Sequence, residues 1–415
     1  MTTKIREGYK QTEVGVIPED WNLCKLEDVC ERIGVGLATS VTKYYRETGI
    51  AIIRNLNIKN GYFDGNDMLY LDQEFAKQNY SKETKALDVL TVRTGSNLGL
   101  TCVLPFEYHN CQTFTTLVTT PNKLRLNSIY LCFNMSSIIG KSELSRLQVG
   151  GGKGNLNTGD LKKYRIAIPR NINEQTAIAN SLSDSDALIT SLEKLIEKKR
   201  AIKQGAMQEL LKPKEGWEVK TLGEILKIIG GGAFKSSDSQ KTGVKWLKIA
   251  NVGINQILWN EENFLPIEFI IQNENFLLYE GDLVIALTRP LLDRKLKIAS
   301  LSASDCPALL NQRVGKITAE ADCDINFLYF LLQKHNVIDL LLQGMAGTDP
   351  PNLSNKGVYS ISCSIPPTKI GQIQIATILS NMDAEITALE QKLGKYKLIK
   401  QGMMQELLTG KIRLI

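Results

Sequence analysis

Histidine is almost absent from this chain: His109 and His335 are the only two in 415 residues. They lie at unrelated points, which argues against a repeated histidine-based centre, and a lone histidine reads as a structural residue. The eight cysteines, at 24, 30, 102, 111, 132, 306, 323 and 363, form no CxxC pair. With the cysteines scattered and only two histidines to complement them, the ligand spacing of a zinc site is missing, so no metal and no cofactor is expected, and the thiols read as reduced, cytosolic and mostly buried. No run of 18 apolar residues occurs, so no membrane-spanning helix and no membrane partner is expected. Met1 to Lys10 is polar and lacks an apolar signal core, which points to a cytoplasmic protein. The run Gly150-Gly151-Gly152-Lys153-Gly154 lacks the GxxxxGK[ST] order of a nucleotide cradle. It reads as a loop whose amides and Lys153 can touch a phosphate backbone. No helicase-type or paired-carboxylate nuclease signature is present.

What the chain does have is length enough for two or more domains, with 43% hydrophobic and 23% charged residues, the balance of a soluble globular protein. The formal charge of +6 permits a polyanionic partner without demanding one. The chain is also a duplication. Lys203-Gln204-Gly205-Ala206-Met207-Gln208-Glu209-Leu210-Leu211 matches Lys400-Gln401-Gly402-Met403-Met404-Gln405-Glu406-Leu407-Leu408, an offset of 197 (400 − 203). Extended backward without a gap, 174–211 matches 371–408 with 21 identities in 38 positions. Upstream, Ile168-Pro169 faces Ile365-Pro366, and Asn155-Leu156 faces Asn352-Leu353. With small gaps, Trp21 to Val29 resembles Trp217 to Ile225, and Asp88-Val89-Leu90 resembles Asp282-Leu283-Val284. Between these anchors the halves diverge, as expected if each does a similar job on a different target.

Each repeat ends in a long helical pattern. Ile178, Leu182, Ser185, Ile189, Leu192 and Ile196 alternate steps of four and three, and Ile375, Leu379, Met382, Ile386, Leu389, Leu393 and Tyr396 continue the same phase. That is the narrow seam of a coiled coil. Pro213 stops the first helix and Gly410 caps the second. A helix of about 38 residues is roughly 57 Å long. Gly205 and Gly402 inside these helices each cost about 1 kcal/mol against alanine, for which a close helix or partner contact at the Lys-Gln-Gly turn is a reason. Lys203, Gln204, Gly205, Lys400, Gln401 and Gly402 are accordingly the candidate partner-binding residues.

The segments before the helices read as mixed α/β. Ile50 to Ile53, Asp88 to Val92, Arg165 to Ile168 and Leu283 to Leu287 are strand-like, and Asn127 to Ile139 and Asn326 to Gln343 are helix-like. Near the turns of the divergent segments lie Arg54, Asn55, Asn57, Arg93, Thr94, Ser96, Asn97, Lys153 and Asn155. The second half offers Lys248, Asn251, Thr288, Arg289, Arg294, Lys295, Gln312, Arg313 and Asn352. Arg, Lys, Asn and Gln are the side chains that pair with base edges, while Lys, Thr, Ser and amides hold phosphates. These are the candidate DNA-binding residues. Asp349-Pro350-Pro351-Asn352 resembles the [DN]PP[YFW] motif of amino-methyltransferases but lacks its aromatic residue and any Gly-rich cofactor turn.

The whole layout resembles the specificity subunit of type I restriction-modification systems. The resemblance rests on Gly15-Val16-Ile17-Pro18-Glu19-Asp20-Trp21 with its echo Glu215-Gly216-Trp217, on Asn311-Gln312-Arg313-Val314-Gly315-Lys316, on the strand-Pro exits, on Glu174-Gln175 and on both Gln-Glu-Leu-Leu helix ends. Gly371 departs from the usual acidic residue before Gln372. The resemblance implies an α/β (α+β) fold: two tandem-repeated target-recognition domains, 1–170 and 213–367, with a central helix 171–212 and a C-terminal helix 368–415 as antiparallel coiled-coil spacers. It implies a non-catalytic subunit in which each domain reads one half-site of a bipartite target. Its partners would be double-stranded DNA, two methyltransferase subunits and the restriction subunits of the full complex. Two other readings stand beside it: a non-enzymatic coiled-coil scaffold that binds proteins, and a single-chain DNA methyltransferase.

Overall fold

The computed structural model describes residues 5–148, 154–259, 263–345 and 350–414. Contacts divide the chain into two units. One comprises Met1–Glu193 with Gln391–Ile415, the other Lys194–Glu390.

In the first unit, the strands Cys30–Val35, Thr116–Pro121, Val89–Val92 and Thr101–Val103 form an antiparallel sheet in that order. A second sheet runs Gln112–Thr113, Ile50–Ile53, Leu69–Leu71, Tyr45–Arg46, and its 112–113 and 50–53 strands are parallel. Ile53, Ile58, Leu90, Val92, Cys102, Leu104 and Val118 pack into one apolar cluster spanning strands of both sheets. Trp21–Lys25 pairs with Arg165–Pro169. Helices Ser128–Ser136 and Ile138–Gln148 complete a main core that includes Trp21, Tyr130, Tyr164, Ile178 and Leu182.

The second unit repeats the plan. Leu226–Gly230, Val314–Ala319, Leu283–Ala286 and Ile298–Ser300 form its antiparallel sheet. In its mixed sheet Val244–Leu247 runs parallel to Ala308–Leu310, and in a separate two-stranded sheet Glu218–Thr221 pairs with Ser362–Ile365. The expected strands thus form, but each helix-like segment is two helices. The first breaks at Ser137, and the second, Ile325–Leu332 then His335–Gly344, breaks at Lys334. Both break residues are extended, with ψ of 166° and 136°, so the helical hydrogen-bond ladder stops there.

The repeat extends to single hydrogen bonds. Buried Gln175 donates to the carbonyls of Arg125 and Pro169, both at 3.0 Å, and accepts from the Asn127 amide at 2.9 Å. Gln372 does the same to Asp322 at 3.3 Å, Pro366 at 3.1 Å and the Asp324 amide at 2.9 Å. Each glutamine therefore ties the start of a long helix to a strand exit and to the N-cap of a core helix. Asp88 accepts from the Lys85 amide and pairs with Arg32, and Asp282 accepts from the Tyr279 amide and pairs with Lys316. Gly36 and Gly231 each let two backbone segments approach closely. A Cβ there would lie 1.9 Å from Thr113 Oγ1 or 2.1 Å from the Leu310 carbonyl, so no larger residue fits without moving backbone.

The two long helices are Ile172–Leu210 and Lys369–Leu407. In the first unit Lys400 pairs with Asp186 and Lys397 with Glu193 at 2.7 Å. In the second, Lys203 pairs with Asp383, Lys199 with Glu385 at 2.6 Å, and Arg200 with Glu390 at 2.6 Å. From Lys397–Glu193 to Lys400–Asp186, and from Lys199–Glu385 to Lys203–Asp383, one number rises as the other falls, so the helix segments within each unit are antiparallel. Ile178, Leu182, Ile189, Leu192 and Ile196 of the seam are buried, as are Ile375, Leu379 and Ile386. Each such side chain contributes about 1.5–3 kcal/mol by leaving water.

Candidate nucleic-acid interface

A strand whose four residues are all buried, Val89–Val92, delivers the chain to an exposed turn of Arg93, Thr94, Gly95, Ser96 and Asn97. A second segment meets that turn. Thr94 bridges to Asn155, the Leu156 amide donates to the Arg93 carbonyl at 2.9 Å, and Arg93 Nε donates to Asn155 Oδ1 at 3.3 Å. Buried Leu156 anchors the meeting point. The second half is built alike: Thr288 bridges to Asn352, and the Leu353 amide donates to the Leu287 carbonyl at 2.8 Å.

Around this junction the neighbouring strand ends add side chains. In the first half Asn55 accepts from Thr116 Oγ1 at 3.4 Å, and Thr116 lies opposite Val92 in the sheet. In the second half the Leu287 amide donates to the Arg313 carbonyl at 2.9 Å, and the Arg289 amide to the Pro351 carbonyl at 2.8 Å. The Asn311 amide donates to the Leu247 carbonyl at 3.1 Å, which brings Lys248 beside Asn311, Gln312 and Arg313. Lys248 Nζ lies 3.8 Å from the centre of the Trp246 ring and donates to Asn263. The structure thus gathers Asn55, Arg93, Thr94 and Asn155 in one half, and Lys248, Thr288, Arg289, Gln312, Arg313 and Asn352 in the other. Ser96, Asn97, Arg294 and Lys295 are exposed on the loops that continue from these turns. Lys153 and Asp349 lie outside the described residues.

Five candidates have other work. Asn57 is buried, accepts from the Arg54 amide at 3.0 Å and donates to the Asp64 and Asn66 carbonyls at 3.0 Å each. Asn251 repeats this with the Lys248 amide at 2.9 Å and the Leu258 carbonyl at 2.8 Å. With their polar atoms committed to shaping a loop, neither is placed to reach a base, and Arg54 itself donates to the Asp67 carbonyl. Lys203 and Lys400 are corrected too. Expected to face a partner subunit, they turn inward onto Asp383 and Asp186, and each ammonium stands 5.4 Å from a ring centre, Phe330 and Phe133. Gln204, Gly205, Gln401 and Gly402 remain exposed, and an added Cβ on either glycine meets nothing within 4 Å. Close helix packing inside a unit is therefore not the reason for those glycines.

Sequence reasoning also passed over residues that matter here. Lys297, beside the second junction, is half-buried and donates to the Ile249 carbonyl at 3.0 Å, and burial lowers its pKa. Asp339 binds Arg294 from a helix 45 positions away. Nothing local in the sequence connects Asp339 to that loop. Among the described residues no group of three or more His, Cys, Asp or Glu side chains is placed to hold a metal, and no helix is long and apolar enough to cross a membrane. The cysteines are unpaired, and burial pushes the Cys30 and Cys132 thiols up to about 12 and those of Cys111 and Cys363 to about 11. They are therefore poor nucleophiles at neutral pH.

A family model described as the type I restriction modification DNA specificity domain matches residues 18–204 and again 214–400. The MjaVIII type I restriction enzyme specificity subunit of Methanocaldococcus jannaschii is 28% identical over 430 residues, spanning 98% of this chain and 96% of that one. The EcoAI specificity subunit of Escherichia coli is 33% identical over 191 residues, 46% of this chain and 32% of that one. A crystal structure of a type I restriction-modification system S subunit from M. genitalium shares the fold, with a TM-score of 0.62, 16% identity and 97% coverage of both chains.

Proposed function

The chain belongs to the type I restriction modification DNA specificity family, and from that premise we propose that its two halves each read one half-site of a bipartite DNA target. The observation that carries this reading is the repeated junction. Two sheets unlike in sequence present Arg, Lys, Asn and Thr side chains at equivalent turns, bridged through Thr94–Asn155 in one half and Thr288–Asn352 in the other. A rigid sheet end that displays different side chains in each copy is what two readers of different sequences require.

The reading domains are residues 1–170 and 213–367. The helices between and after them, 171–212 and 368–415, are the ruler that fixes the gap between half-sites. A 39-residue helix is about 58 Å long, more than one DNA turn of about 34–36 Å. The chain itself is non-catalytic and takes no cofactor. Two methyltransferase subunits dock on the exposed helix faces around Gln204-Gly205 and Gln401-Gly402, and restriction subunits join the full complex. In the cytoplasm the assembly acts on double-stranded DNA. The mild positive charge and the exposed arginines support this reading over a protein-binding scaffold, since phosphate contacts need them.

The test is a methylation map of genomic DNA from cells that co-express the chain with its methyltransferase subunit. Methylated adenines in one split motif with a fixed gap, lost when the chain is omitted, are expected. Methylation without a split motif, or unchanged by the omission, refutes the proposal.

A further inference from the structure

The two halves differ at the loop that leaves the junction. The first half closes it with glycines at 95 and 99, both at positive φ. The second extends it into a small hairpin, Leu291–Leu292 paired with Lys295–Leu296. Leu296 is buried and Leu291 packs on the core, so the base is fixed, while the tip is exposed.

The tip residues are Asp293 and Arg294, with φ of +49° and +57°. A two-residue turn with both residues left-handed normally carries glycine at its second position. An arginine there is held against its backbone preference, and such outliers gather at functional positions. Its side chain is also held: Asp339, on the helix His335–Gly344, accepts from Arg294 Nη2. His335 Nε2 lies 3.7 Å from the other Asp339 oxygen. At the matching position of the first half, 142 (339 − 197), stands Ser142, so this brace belongs to the second half alone. The Asp339 bond uses an Nη2 donor of a guanidinium that carries five.

We propose that Asp339 is a positioning residue that aims Arg294, at the hairpin tip, at a guanine edge in the major groove of the second half-site. The proposal rests on the bipartite reading above. A carboxylate that fixes one side of a guanidinium presents its remaining donors in a defined direction, which suits two-point recognition of guanine O6 and N7. A flexible arginine on the same loop would serve a phosphate as well as a base.

The experiment uses the complex of the full chain with its methyltransferase subunit and DNA duplexes varied one base pair at a time across both half-sites. Arg294→Ala should reduce discrimination at one base pair of the second half-site by about 10–100-fold and leave the first half-site unchanged. Arg294→Gly, which suits the left-handed turn, should do the same and guards against misfolding. Asp339→Ala should loosen the same base pair by about five-fold or more, with Asp339→Asn between it and the wild type. The double variant should discriminate no worse than Arg294→Ala alone, because Asp339 acts through Arg294. Three results overturn the proposal. One is an Asp339→Ala effect that persists without Arg294. Another is uniform weakening on all sequences with a salt slope reduced by about one, the mark of a phosphate contact. The third is unchanged discrimination in Arg294→Ala. A wild-type complex indifferent to the second half-site would instead refute the bipartite reading itself.

Discussion

Replacing Gln175 by alanine removes three hydrogen bonds at a site closed to water. The carbonyls of Arg125 and Pro169 lose their donor and the Asn127 amide loses its acceptor. At a net of about 1 kcal/mol each the loss is about 3 kcal/mol, with more if the buried amide finds no new partner. The damage should be local. Gln175 joins the long helix to the Arg165–Pro169 strand exit and to the helix that starts at Ser128, all within one compact unit. Amide hydrogen exchange is the appropriate assay, because it resolves the units separately. A loss of about 3 kcal/mol lowers protection roughly 150-fold, and should do so in Trp21–Lys25 and Arg165–Pro169 but not in Glu218–Thr221 or Ser362–Ile365. Gln372→Ala should give the mirror image. Protection that falls less than about five-fold would show that water or a shifted neighbour replaces the glutamine. Equal loosening of both pairs of strands by one substitution would refute the independence of the two clamps.

Gly205→Ala and Gly402→Ala should each raise stability by up to about 1 kcal/mol, since the new methyl meets nothing and alanine favours helix. Both should also weaken capture of the methyltransferase subunit. A pull-down with undiminished yield would remove these glycines from the docking surface. Glu143 is buried, which by itself raises its pKa. Its bonds to Arg146 and Arg165 prevail and hold it at about 2, against 4.5 for the unperturbed group. That difference is on the order of 3 kcal/mol, present above pH about 4.5 and lost as the pH falls toward 2. Glu143→Gln should therefore lower the thermal midpoint at neutral pH and flatten its acid limb, and a parallel shift at every pH would contradict this account. Exchanging residues 20–165 for those of a relative should change one half-site only, and a methylation motif altered in both halves would show that the readers are not independent. Inserting one helical turn in both 185–200 and 382–397 should lengthen the gap and spare both half-sites, and an unchanged gap would show that the helices are not the ruler.

The duplication, the seam and the strands were legible because each obeys a period or an offset. Leu182 and Leu379 are 197 apart and both fully buried, so one alignment predicts two core positions. The roles of polar residues were less legible. Asn57 and Asn251 are of the right type to read adenine, yet a buried asparagine satisfies a turn's amides and carbonyls as readily. Lys203 and Lys400 sit in a motif that stands out by repetition. That repetition reflects a shared internal need, an ammonium between Asp383 or Asp186 and an aromatic ring, and carries no sign of which way the side chain points. The pairing of Arg294 with Asp339 was invisible because it joins a hairpin tip that the first half lacks to a helix position that holds serine, Ser142, in the first half.

That contrast separates the two kinds of residue in this chain. Those that hold the frame recur in both halves: Gln175 and Gln372, and Lys203 and Lys400, at the offset of 197 with matching partners, and Asp88 and Asp282, and Gly36 and Gly231, at nearby offsets of 194 (282 − 88) and 195 (231 − 36). A duplicated frame preserves them because each is costly to lose, whatever the half is used for. The residues beyond the junction do not recur: a glycine turn faces a hairpin, and Ser142 faces Asp339. Frame and reading surface meet at the Thr94–Asn155 and Thr288–Asn352 bridges. The backbone contact there is the same in both halves, and the side chains around it are free to differ. A protein built this way can change its target by exchanging loops past the bridge without disturbing the clamps behind it.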